Sequence, residues 1–196
     1  MNYSIYAEST PNPGVMKFVA NRMLVDKSIE ITQAEQAKDI SVAKALFNFP
    51  FVKSLYLSSN FISIAKTDNV EWDMIAMQLR NFITDFLNEE GLKNYTEHIT
   101  EEEIIKEEVE SVEVEKISFT EKEEAIIDLL NEYIKPAVEA DGGAITFNSY
   151  VGDVVTVNLK GACSGCPSAT STLKGGIESL LNQKVDPNIV VRANEG

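Results

Sequence analysis

Two hydrophobic periods alternate along the chain. Tyr3-Ser4-Ile5-Tyr6-Ala7, Met16-Lys17-Phe18-Val19, Val52 to Leu57 and Phe61 to Lys66 are short alternating or β-rich runs. They predict strands, because successive strand side chains point to opposite faces. Pro11-Asn12-Pro13-Gly14 breaks the first two runs apart, and Ser58-Ser59-Asn60 turns the last two into a hairpin. Ser41 to Phe47 predicts a short helix ending before Pro50. From Trp72 the period becomes helical: Trp72, Ile75, Leu79, Phe82, Ile83 and Phe86 share one face, with Asp68 or Asn69 as cap and Gly91 as stop. Trp72 and the methionines Met16, Met23, Met74 and Met77 read as packing residues. Residues 1–95 thus form one compact α+β unit.

A second amphipathic pattern opens at Thr120, where Glu123 three residues on completes a capping box, and Ile126, Leu130, Ile134 and Val138 make one apolar stripe. Pro136 has no amide hydrogen and is expected to kink or tighten the last turn. Asp141-Gly142-Gly143 reverses the chain through glycines that tolerate positive φ, a structural role for the motif. Ala144 to Ser149 and Val154 to Lys160 predict a hairpin turned at Tyr150-Val151-Gly152-Asp153. Pro167 suits a first helical position, and Ser168 to Asn182 continues as a helix with Leu173, Ile177, Leu180 and Leu181 inward. Ile189-Val190-Val191 closes as a strand. The overall class is α+β: two small α/β domains, the second, residues 119–196, in α-β-β-α-β order.

Charge changes the picture between them. Glu97 to Lys116 holds nine acidic residues and two lysines, a net charge of −7 and half of the whole chain's −14. Residues 96–118 therefore read as a solvated acidic linker that lets the domains move independently, with His98, the sole histidine, as a solvated residue within it. The strong negative charge disfavours nucleic acid and anionic membrane surfaces as partners. Met1 to Thr10 has no basic cluster, signal-like apolar run or arginine-rich character, and no segment approaches the ~20 apolar residues of a membrane span. These features predict a cytoplasmic protein.

Two cysteines remain, Cys163 and Cys166, in Gly161-Ala162-Cys163-Ser164-Gly165-Cys166-Pro167. The segment joins a strand to a helix, so helix-start amides and the positive dipole end are expected to favour thiolates. Cys-x-x-Cys across a glycine turn directs both sulfurs to one side and supplies half of a four-ligand sulfur site. A two-fold axis through the metal would bring the same two cysteines from a second copy. The residues themselves leave three uses open: an iron-sulfur site in a homodimer, a zinc-bridged structural dimer, and a thiol-disulfide oxidoreductase with Cys163 attacking.

Lys135-Pro136-Ala137-Val138-Glu139-Ala140-Asp141-Gly142-Gly143, the hairpin after it and the cysteine segment resemble the C-terminal NifU domain from about Phe119 to Val191. Glu8-Ser9-Thr10-Pro11-Asn12-Pro13 and Met16-Lys17-Phe18 resemble the start of the N-terminal domain of Nfu-type scaffold and carrier proteins. Lys135 stands where that family commonly has arginine; it keeps the charge and loses the planar fork. The resemblance implies a 4Fe-4S cluster bridging a homodimer, ligated by Cys163 and Cys166 of each chain. It also implies delivery of that cluster to apo iron-sulfur client proteins, upstream cluster-assembly proteins as partners, and a carrier that is not an enzyme.

Overall fold

The computed structural model describes residues 2–37, 40–90, 120–164 and 167–195. The N-terminal strands are β1 (Ile5–Ser9), β2 (Val15–Ala20), β3 (Ile29–Ile31), β4 (Val52–Ser58) and β5 (Phe61–Lys66). They form one antiparallel sheet in the order β1-β2-β5-β4-β3. Helices α1 (Ser41–Leu46) and α2 (Trp72–Glu89) accompany it. Phe18, Ile62, Ile64, Leu55, Leu57 and Ile31 on the strands pack with Ile75, Leu79, Ile83 and Leu87 of α2 in one buried cluster. The alternation in β2 and β5 is therefore real amphipathicity. Phe18 and Ile62 face that core, while Lys17 and Ser63, one residue away, face the opposite side.

Two details of this half differ from the sequence reading. Neither Asp68 nor Asn69 caps α2, whose N-cap position is Glu71 with no side-chain bond; Asn69 instead accepts from the Thr67 hydroxyl. Met23, Met74 and Met77 are exposed, and only Met16 packs on the core. The i, i+4 stripe of Ile75, Leu79, Ile83 and Leu87 already supplies the buried face of α2, leaving Met74 and Met77 outside it. Trp72 is partly buried against the core, and its indole N–H also donates to the Pro13 carbonyl at 2.9 Å, tying α2 to the β1–β2 turn.

The C-terminal half runs α3 (Glu121–Leu129), a π turn (Leu130–Ile134), α4 (Lys135–Ala140), β6 (Gly143–Val151), β7 (Val154–Gly161), α5 (Pro167–Lys184) and β8 (Val190–Glu195). The Thr120–Glu123 capping box is present in both directions. Pro136 acts differently from expectation: the turn ahead of it widens. Without a proline N–H the regular ladder fails there, and the Lys135 amide reaches back five residues to the Leu130 carbonyl. Strands β6 and β7 are antiparallel, and β8 runs parallel to β7 after the α5 crossover. Their hairpin turn is only Gly152-Asp153, with φ of 53° and 63°, the doubly positive pair that a type I′ turn requires. Ile126, Val138, Ile145, Val157, Ile177 and Leu181 are among the residues of the second buried cluster. The expected linker and His98 fall at residues 91–119, outside the described residues.

Leu79 is fully buried at the centre of the first cluster. Leu79→Ala is expected to cost roughly 2–5 kcal/mol through lost burial and the cavity left behind, read as a lowered urea midpoint.

Candidate functional site

The two chain reversals of the C-terminal half meet at one place. Gly142 has φ +83°, which brings the carbonyl of Gly142 to the Ala162 amide at 3.2 Å. Gly143 pairs across the ladder with Gly161, the last residue of β7, whose own φ is +65°. After Gly161 the chain tightens: the Ser164 amide and hydroxyl both donate to the Gly161 carbonyl, at 3.1 and 2.9 Å. Thr170 on α5 donates to the Cys163 carbonyl at 3.3 Å. Cys163 is thus fixed between strand and helix, as its place in the sequence predicts. A side-chain carbon at Gly143 would stand 2.6 Å from the Cys163 sulfur and 2.8 Å from the Lys160 carbonyl oxygen, so only glycine fits behind the thiol.

Cys163 is 8% exposed and belongs to the second buried cluster. Burial, aided by the nearby Asp141 carboxylate, pushes its thiol up to about 11. This reverses the expectation of a thiolate favoured by the helix start. Helix α5 begins only at Pro167, four residues beyond Cys163, and desolvation is the largest influence on the thiol. The thiol borders a mostly apolar cavity of about 380 Å3, walled by Val138 and Asp141 on one side, Thr172 and Leu173 on α5, and Pro11 from the N-terminal half. Cys166 lies outside the described residues. Among the described residues, no group of three or more His, Cys, Asp or Glu side chains gathers as a metal site, and no helix is long and apolar enough to cross a membrane.

The N-terminal half also reaches this turn, which the sequence reading did not anticipate. Asn12 in the β1–β2 turn is buried, and its amide donates to the carbonyls of Ala162 and Ser164, both at 3.2 Å, one on each side of Cys163. The Asn12 side-chain oxygen is held by the Gly14 amide at 2.9 Å. Lys17 donates to the Ala140 carbonyl at 2.8 Å and the Glu139 carbonyl at 3.3 Å, at the end of α4. Ser63 donates to the Gly142 carbonyl at 2.6 Å, and Glu30 accepts from the Gly161 amide at 3.1 Å. The only hint in the sequence was a lysine and a serine at interior positions of otherwise apolar strands.

Comparison with known proteins places these features in a family. Residues 5–90 match the family model described as scaffold protein Nfu/NifU N terminal, and residues 126–192 match the NifU-like domain. Proteins from Drosophila grimshawi and Drosophila willistoni, both named NFU1 iron-sulfur cluster scaffold homolog, mitochondrial, are each 33% identical over 185 residues, 90% of this chain. The chain spans 57% and 58% of their lengths. Among solved structures, the solution NMR structure of a NifU-like protein from Saccharomyces cerevisiae is 28% identical, covers 44% of this chain and 79% of its own, and has a TM-score of 0.40. The names of the relatives correct the cytoplasmic placement read from Met1 to Thr10: those relatives are mitochondrial proteins. Ten residues judged by charge and apolar content were too little to decide a compartment against that finding. With the Nfu/NifU N-terminal domain and the NifU-like domain in that order, and similarity to these relatives along nine-tenths of its length, the chain belongs to the Nfu family.

Proposed function

We propose that this protein carries an iron-sulfur cluster, of the 4Fe-4S type, between two copies of the chain, each contributing Cys163 and Cys166, and passes it to apo-proteins. One observation carries the reading: a Cys-x-x-Cys segment sits between β7 and α5 in a NifU-like domain, in a chain whose relatives are named iron-sulfur cluster scaffolds. Two thiolates are half of a cluster's usual protein ligands, and a two-fold axis supplies the rest. Domain limits of 1–95 and 119–196, with an acidic linker over 96–118, go with this proposal.

The chain acts here as a binding protein, not an enzyme. Transfer is ligand exchange without redox change: client thiolates replace those of Cys163 and Cys166 on iron, and the displaced sulfurs take up protons. A cluster ligand and the attacking thiol of an oxidoreductase both work as the thiolate, and in this conformation Cys163 is buried with its thiol pushed up. Iron must displace the thiol proton, so loading is favoured as pH rises. Thiol-disulfide exchange is separated from a carrier by assaying catalytic reduction of insulin, and zinc from a cluster by assaying acid-labile sulfide.

Anaerobic reconstitution with iron and sulfide is expected to give a brown dimer on size exclusion. Cys163→Ser and Cys166→Ser are each expected to abolish both colour and dimer, and full clusters in either variant would sink the assignment. In apo Cys166→Ser protein, alkylation of Cys163 by iodoacetamide should climb about tenfold per pH unit from 8 to 10, because the thiolate fraction grows in that proportion below the pKa. It should level off only near the raised value of about 11. Gly143→Ala forces the cysteine turn to move and is expected to lower cluster yield, measured as iron and sulfide per chain, while a yield equal to the parent's would show that the turn relaxes freely.

A further inference from the structure

We infer that the open face of the N-terminal sheet is a docking surface for the cysteine turn of the same chain, and that this docking excludes pairing of the turn with a second copy. The second clause rests on the dimer proposed above; the first does not.

The surface is one transverse row of the sheet. Strand register places Glu8 opposite Lys17, Lys17 opposite Ser63, Ser63 opposite Tyr56 and Tyr56 opposite Glu30, so the row crosses all five strands. An antiparallel sheet with one packed face commonly leaves the other to water. Here Lys17, Ser63 and Tyr56 are 8%, 2% and 3% exposed. Lysine is almost never buried without partners, and those of Lys17 are Glu8 at 3.9 Å, the Phe61 ring at 4.6 Å, and the last carbonyls of α4, where the helix dipole is negative.

The opposing surface is backbone. A carbon added at Gly142 would lie 2.7 Å from the Ser63 hydroxyl, and one added at Gly161 would lie 2.8 Å from the Tyr56 ring. These glycines let the sheet approach until its side chains bond to main-chain groups. Such complementarity names the occupant, since a second partner would have to reproduce two bare glycine turns and a helix end at the same spacing.

Exclusion comes from where the β1–β2 turn stands. Asn12 holds the carbonyls on both sides of Cys163, and Pro11 forms part of the wall of the cavity beside the thiol. A second cysteine turn that shares one cluster with Cys163 must approach this same sulfur. Cluster loading therefore displaces the N-terminal sheet and exposes its polar row.

Two measurements test this. The first uses no iron: Cys163 alkylation at pH 8 is compared between Cys166→Ser and the same protein carrying Asn12→Ala and Lys17→Ala. Loss of these hydrogen bonds is expected to raise the rate at least about tenfold, and equal rates would overturn the docking. The second uses the unaltered chain and so does not depend on how the variants fold. Acylation of Lys17 by an N-hydroxysuccinimide ester, read by mass spectrometry, should be slow in the apo-protein and fast after anaerobic cluster loading. Fast labelling of the apo-protein overturns the docking, and slow labelling in both forms overturns the exclusion. A chain that loads no cluster removes the dimer reading and the exclusion with it, while the alkylation result still decides the docking.

Discussion

The carbonyl of Gly142 accepts from the Ala162 amide and from the Ser63 hydroxyl. One bond belongs to the cysteine turn and the other to a different sheet, and both require the chain to pass through a positive φ without a side chain. Around that atom the molecule is organised. Gly143, next in sequence, leaves room for the Cys163 sulfur, and Gly161, its ladder partner, leaves room for Tyr56. A stretch that looks in sequence like ordinary turn chemistry is therefore the place where two hydrophobic clusters, formed separately, are brought into register with one another.

The energetics of that junction differ from those of the two cores. Each core gains from apolar burial, which is non-directional and tolerant of small shifts. The junction is built mainly from directional bonds to backbone atoms, whose net worth is modest when made and whose loss is costly when a buried group is left without a partner. A buried ammonium at Lys17 makes this asymmetry acute. With its α4 carbonyls it is satisfied, and without them it needs water. The Cys163 thiol itself is buried mainly within the C-terminal cluster, and the N-terminal half adds Pro11 to the wall of the cavity beside it.

Much of the fold could be read from residue order alone. The i, i+4 stripe of α2, the Thr120–Glu123 box, the helix start at Pro167 and the α-β-β-α-β order all rest on local rules, and each is present. What escaped was decided by groups far apart in sequence. Period-two alternation marks Lys17 and Ser63 as opposite in face to Phe18 and Ile62, but polar residues on an open face read the same whether water or another domain lies beyond. Helix-start logic likewise assigned Cys163 a favourable local dipole, whereas its burial comes from Val138 and its neighbours in the cluster. Pro136 announced a fault in the helix, but the expected kink or tightening came out as a widened turn ahead of it. Met74 and Met77 are apolar without being needed by the core.

The transverse row has one further property. Because side chains alternate, a slip of a single residue in β2 would turn Phe18 outward and Lys17 into the core, and the same slip in β5 would exchange Ile62 for Ser63. Only a sheet paired in its native register can present a lysine, a serine, a tyrosine and a glutamate in line. The N-terminal partners of the Ala140 and Gly142 carbonyls and of the Gly161 amide are consequently supplied only by a half-molecule that has itself folded in register, so a chain with a misassembled N-terminal sheet leaves those backbone groups to find water.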